Sequence, residues 1–193
     1  LFGCTFNAEI RNVELTNVNI IQLANSDSFC SGSLVGASVG SITLYNCKAS
    51  GNITGMNAIG GLLGYVWNPT ELHKDADSPL VLSNKIVLID YCSFNGNIYA
   101  TSYRAGGIVG AVLFDTNVNT SITFTNCTVD GSITSDSNRV GGLFANSSGT
   151  GWVEFTNKIT IKDNTVNATI TAKGGAGARW FSFTSEGADP YDG

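Results

Sequence analysis

The sequence predicts an all-β protein: a right-handed parallel β-helix, or β-solenoid, of about five coils with three short strands per coil. Three observations carry this expectation. The first is an internal repeat: SITLYNCKASGNI at Ser41–Ile53 returns as VLIDYCSFNGNI and SITFTNCTVDGSI, ending at Ile98 and Ile133, and a fixed period marks stacked repeat units. The second is alternation of apolar and polar residues within each copy, the period of a half-buried strand. The third is a glycine pair followed by an apolar run, GGLLG at Gly60–Gly64, GGIVG at Gly106–Gly110 and GGLFA at Gly141–Ala145.

Each copy builds a coil in the same way. Ile42 and Leu44 point inward on even numbers, whereas Cys47, Ala49, Gly51 and Ile53 point inward on odd numbers. A strand cannot change parity without a corner or bulge. The change recurs at Tyr91-Cys92, Asn126-Cys127 and Asp163-Asn164, so each coil is expected to turn there. The glycine pair implies either positive φ or a backbone packed too closely for a Cβ.

Stacked coils are neighbouring strands, so equivalent residues form ladders about 4.8 Å apart. The expected rows are isoleucine (Ile10, Ile53, Ile98, Ile133, Ile170), cysteine (Cys4, Cys47, Cys92, Cys127) and large apolar (Leu62, Ile108, Leu143, Trp180). For the cysteines two readings stay open: buried free thiols, or bridges between adjacent rungs. Cys30 stands off the row without an evident partner.

The units in order are a partial coil over 1–12, then 13–40, 41–84, 85–120, 121–157 and 158–184. All belong to one domain, with a tail or linker over 185–193. CTFNAEI at Cys4–Ile10 matches CSFNGNI, so the chain is expected to begin in mid-coil, as a segment of a longer array. Val13–Ala24 reads as the next unit, with its corner at Asn17-Val18. A surface insertion over 65–85 holds Pro69, Pro79 and His73, since proline cannot donate within an interior strand.

Composition narrows the function classes. Only 13% of the 193 residues are charged and the net charge is −5, so no basic stripe exists to neutralise phosphates and nucleic acid is not an expected partner. No run of 18 apolar residues is present, so no membrane span is expected in this segment.

Catalytic, cofactor and metal sites are not expected. His73 is the only histidine, so no multi-histidine site can form around it. Asp75 and Asp77 lack the glycine and glutamate of a calcium loop. Asp90 and Asp130 fall at different points of the coil, too far apart for a glycosidase pair. An enzyme acting on polysaccharide is the least favoured reading.

Two binding features stand out. An outward stack of Asn7, Ser50, Asn95, Asp130 and Asn167 is either a structural hydrogen-bonded ladder or a strip for glycan contact. Tyr99 or Tyr103 is expected near that strip, whose contact residues are Asn95 and Asp130, while Trp67, at the insertion with His73, is the alternative place for glycan contact. Trp67 and Trp152 lie in connections and are expected chiefly to pack loops onto the solenoid. Five sequons, Asn52, Asn119, Asn126, Asn146 and Asn167, are candidate N-glycosylation sites. Asn119 and Asn146 are read as loop residues.

The G-[LI]-x-G signature resembles the GLUG motif. It stands as GLLG at Gly61–Gly64 and GIVG at Gly107–Gly110, and weakened as SLVG at Ser33–Gly36 and GLFA at Gly142–Ala145. That resemblance covers residues 13–184 in outline. It implies an extracellular or cell-surface stalk or adhesin module. Separately, the open sheet edges of the end coils are templates for strand addition and are expected to favour self-association, as in a fibre, or docking of neighbouring repeats. A carbohydrate-binding β-helix is the alternative. The resemblance supplies no catalytic residues.

Overall fold

A computed structural model describes residues 1–22, 30–67, 84–112, 119–136, 139–146, 159–174, 177–178 and 181–182. Among these there is no helix, and every strand pairing is parallel. The strands form three sheets that the chain visits in constant cyclic order, an arrangement consistent with a parallel β-solenoid. The first sheet contains β1 (Phe2–Arg11), β4 (Val35–Tyr45), β7 (Leu63–Trp67), β8 (Asn84–Asp90), β11 (Val109–Val112), β12 (Asn119–Thr125), β15 (Phe144–Asn146), β16 (Ile159–Lys162) and β20 (Phe181–Ser182). The second contains β2 (Glu14–Ile21), β5 (Lys48–Gly55), β9 (Ser93–Ala100), β13 (Thr128–Ser135), β17 (Thr165–Val166) and β18 (Thr169–Ala172). The third and shortest contains β3 (Ser31–Gly32), β6 (Ile59–Gly60), β10 (Arg104–Gly106), β14 (Arg139–Gly141) and β19 (Gly177–Ala178).

The corner from the first sheet to the second explains the parity change. Asn12, Asn46, Tyr91, Asn126 and Asp163 all take left-handed φ, between 50° and 57°. One such residue rotates the following side chain onto the other parity, so Ile42, Leu44 and Cys47 all point inward. Asparagine suits the position because its short amide tolerates this backbone. Side chains reinforce the row: Asn46 Nδ2 donates to Asn12 Oδ1 at 2.8 Å, and Asn126 Nδ2 donates to Asp90 Oδ1 at 3.0 Å.

The glycine pairs mark the return from the third sheet to the first, and their role is close packing. Neither Gly61 nor Gly107 has left-handed φ, but a Cβ on Gly61 would overlap the Gly107 carbonyl oxygen and the Phe94 ring. A Cβ on Gly107 would lie 2.7 Å from Val129 Cγ1. Just beyond, the Leu62 and Leu63 N–H groups both donate to the Ile108 carbonyl, and those of Ile108 and Val109 to the Leu143 carbonyl, all at 2.9–3.0 Å. One carbonyl thus serves two donors at each return.

The core fills with stacked rows. Ile53, Ile98 and Ile133 are register partners and fully buried, and Ile170 follows them against Ile133. Burying each such side chain contributes roughly 1.5–3 kcal/mol. Leu62, Ile108 and Leu143 are likewise buried, and the Phe124 and Phe144 rings stack at 5.3 Å. Trp180 lies outside the described residues.

The first circuit departs from the expected register. Cys4 pairs with Ala37 and Ile10 with Leu44, so neither belongs to its expected row. Ile20 occupies the isoleucine row, opposite Ile53, and Val13 heads the cysteine row, its carbonyl accepting from Lys48 N at 2.8 Å. The corner of this circuit is Asn12. Asn17 also has left-handed φ, 55°, but it forms a bulge opposite the stretch Ala49–Gly51. A bulge changes parity just as a corner does, which is why the sequence pattern placed the turn five residues late.

The insertion is also shorter than 65–85. Tyr65–Trp67 end β7 and Asn84–Lys85 begin β8. Pro69, His73, Asp75, Asp77, Pro79, Trp152 and the tail over 185–193 lie outside the described residues.

The left-handed corner has a direct test. Asn126→Gly and Asn126→Ala both lose the Asp90 contact, but glycine takes left-handed φ without strain whereas alanine keeps a Cβ there without the asparagine amide that eases it. The alanine variant should be less stable than the glycine variant by about 1 kcal/mol in urea denaturation. Equal stabilities would show that the corner does not require left-handed φ.

Candidate functional site

Alternation puts the side chains of each strand in two sets, and the outward set of the second sheet is its chemical face. Ser50, Asn95 and Asp130 are register partners, and Asn167 Nδ2 donates to Asp130 Oδ1 at 2.9 Å. Two residues along, Asn97 Nδ2 donates to Asn52 Oδ1 at 2.8 Å and Ser132 Oγ donates to Asn97 Oδ1 at 2.7 Å. These amides tie successive circuits together. Asn7 is not part of the strip, because it sits in the first sheet, where its Oδ1 accepts from Ser41 N at 2.9 Å.

Asn95 and Asp130 therefore stand side by side, but Trp67 belongs to the first sheet, where it meets Tyr65 edge-on at 5.6 Å. The two candidate contact regions, the strip and Trp67, thus lie on different sheets. Tyr99 does lie on the second sheet and forms a clasp at its end. Its hydroxyl donates to Asp136 Oδ2 at 2.6 Å, Lys173 Nζ sits 2.6 Å from Asp136 Oδ1, and the ammonium lies 5.3 Å from the Tyr99 ring centroid. Tyr103 stands outside this group, immediately before β10 of the third sheet.

Four of the five sequon asparagines have described side chains, and their surroundings differ. Asn52 is exposed, and its Nδ2 has no hydrogen bond among the described residues. The Asn126 and Asn167 amide nitrogens already donate to carboxylates. Asn119 is exposed at the start of β12, and Asn146 ends β15, so both stand in strands and not in loops as expected. Asn119 borders a groove of about 290 Å³ lined also by Asn84, Lys85, Ile86, Thr120 and Ser121.

The cysteine row is a stack of buried free thiols, Cys47, Cys92 and Cys127. Each Sγ donates to the carbonyl two residues earlier, Tyr45, Asp90 and Thr125 respectively, at 3.2–3.5 Å. The contact between Cys47 and Cys92 lowers the first thiol and raises the second, which burial raises further. Burial pushes Cys127 up to about 12. At the end of the row Asn164 replaces cysteine: its Oδ1 accepts from Cys127 N and its Nδ2 donates to Phe124 O, both at 2.8 Å. Off the row, Cys4 is exposed, and Cys30 is pushed up to about 11, by burial first and then by Cys4.

Sequence reasoning passed over two features. Lys85 is fully buried and pairs with buried Thr120. Its odd number, shared with the inward Val87 and Ile89, was the available signal. Arg104 and Arg139 are register partners in the third sheet, which is too short to show periodicity. Among the described residues no three His, Cys, Asp or Glu side chains gather as a metal cluster, and no helix is long and apolar enough to cross a membrane. Compared with protein-family models, with curated proteins and with solved structures, the chain finds no match.

Thiol labelling checks the burial pattern. With a polar thiol reagent at neutral pH, the native protein should show one fast-reacting cysteine of five, Cys4, with the stacked thiols reacting only after unfolding. Fast native labelling of three or more would contradict the stack.

The clasp predicts a pH dependence. Lys173, then Tyr99, holds the Asp136 carboxyl below its ordinary value, so its stabilisation is present above the unfolded value and is lost as pH falls through the lower folded value. Lys173 is raised, mainly by Asp136, so its share is present below the unfolded lysine value and lost at higher pH. Asp136→Asn should flatten the acid limb of a melting-temperature profile. An unchanged limb would assign it to other carboxylates.

Proposed function

We propose that this chain is a structural module of an extracellular or cell-surface assembly: a right-handed parallel β-solenoid of about five coils acting in a stalk, adhesin or self-associating glycoprotein fibre. One observation carries the reading. Leu1, Phe2, Phe6 and Ile21 are all exposed, at 72%, 43%, 52% and 67%, and all lie on or beside β1 and β2. Among the described residues these two strands pair on one side only, β1 with β4 and β2 with β5. An open strand edge carrying large apolar side chains is a template for another strand. The partner that continues the ladders is the far end of a second copy or a neighbouring repeat, and a heterologous contact of that kind propagates as a filament unless the rotation closes. The GLUG resemblance supports the same placement.

Carbohydrate binding is the second reading, favoured by the adjacent Asn95 and Asp130 and by the Tyr65–Trp67 pair. An enzyme ranks third. If the protein passes through a eukaryotic secretory pathway, Asn52 is the favoured glycan acceptor, since its amide nitrogen is uncommitted.

Electron microscopy of the natively purified protein, with sedimentation over a range of concentrations, separates the readings. Fibres or concentration-dependent end-to-end oligomers are the expected outcome, and Phe6→Glu with Ile21→Lys should abolish them while leaving the circular dichroism unchanged. Discrete monomers at all concentrations, with melting temperature raised by sugars, would overturn the structural reading in favour of the binding module.

A further inference from the structure

The third sheet carries an unusual pair of charges. Arg104 and Arg139 are direct register partners on β10 and β14, so their Cα atoms lie on neighbouring strands about 4.8 Å apart. Each precedes a residue whose side chain fills the core, Ala105 and Val140, so alternation puts both arginines on the outer side. Both are half-buried. Arg104 Nη1 donates to Asn57 Oδ1 at 3.1 Å, and the Arg104 guanidinium lies 6.0 Å from the Tyr103 ring centroid. Tyr103 itself is 51% exposed.

This arrangement brings like charges together. Like charges directly opposite on adjacent strands are destabilising. Burial, first, lowers both guanidiniums from their ordinary value; for Arg104 the nearby Tyr65 opposes this and Arg139 adds to it. Among the described residues Arg139 has no carboxylate partner. In a chain of net charge −5, with only 10 Lys and Arg, two guanidiniums placed side by side next to an exposed aromatic ring form a local positive site.

We propose that Arg104, Arg139 and Tyr103 bind a carboxylated sugar residue, of the uronic acid type, in an acidic glycan. Planar guanidiniums present paired donors that match a carboxylate, and the two together bridge its oxygens. Tyr103 offers a flat apolar surface for the C–H face of the pyranose ring, which distinguishes a sugar acid from a bare anion. Asn57 positions Arg104. The site stands on a different sheet from the Asn95–Asp130 strip and does not depend on filament formation.

Calorimetric titration of the intact protein with a short oligogalacturonate tests this, with its methyl ester and sodium acetate as the other arms. The acid oligosaccharide should bind and weaken with added salt, and the methyl ester should bind at least roughly tenfold more weakly. Arg139→Gln should lose roughly tenfold or more. Arg139→Lys, which keeps the charge and loses the fork, should fall between, and it stands in if the glutamine variant does not fold. Tyr103→Ala should lose the preference for the oligosaccharide over acetate. Equal binding of acid and ester, no binding of the acid, or indifference to both Arg139 variants would overturn the proposal. Equal affinity for acetate and the acid oligosaccharide would overturn its sugar part and leave a simple anion site.

Discussion

In-register parallel stacking sets each side chain about 4.8 Å from its own counterpart in the next circuit, and the rest of the structure depends on tolerating that repetition. Isoleucine, leucine and small thiols tolerate it because identical apolar side chains pack well on themselves. Asparagine tolerates it because one amide can donate to the next, as Asn97 does to Asn52 and Asn46 to Asn12. Charge tolerates it poorly, since repeated charges repel. The low charged fraction, 13%, follows from this constraint. The ion pairs that do occur join different residue types, such as Lys173 with Asp136.

Much of this was legible in the sequence because repetition amplifies a weak local signal. Period-2 alternation in one copy is ambiguous, but its failure at the same step in four copies identified the corner, and the left-handed φ of Asn46, Tyr91, Asn126 and Asp163 supplies the cause. The inner rows through Ile53, Ile98 and Ile133 followed from the same alignment. Where the repeat is imperfect, the reading failed. In the first circuit Asn7 and Asn17 introduce irregularities that shift parity without turning the chain. CTFNAEI therefore matches the second-sheet motif in sequence, although it belongs to the first sheet. The third sheet was hidden for another reason: two or three residues per strand carry no period. Arg104 and Arg139 became neighbours only once the register was known, since 35 residues of sequence separate them.

The outer surface divides by sheet according to how each meets the same constraint. The second sheet spends its polar groups on its own neighbours, so its amides act first as internal fastenings, and a ligand there would compete with bonds already made. The third sheet leaves like charges facing each other, so an added anion would relieve an existing repulsion. That difference favours the arginine pair over the more conspicuous asparagine strip as the place for the proposed ligand. The buried cysteine row is the inward counterpart of the strip: its sulfurs serve as compact donors to carbonyls at the corner, and Asn164 ends the row by offering the same backbone an amide.

The carbonyl shared at each return has a mechanical consequence. Leu62 and Leu63 hang from the single oxygen of Ile108, and Ile108 and Val109 from that of Leu143. A pull directed along the stack would load these junctions in series, one circuit at a time, and would open them by peeling. Load across a strand would instead be shared by every bond in the ladder. A module of this build therefore yields stepwise under axial tension and resists sideways shear. Each released circuit adds a length of slack chain, so extension would absorb work before the next circuit gives way.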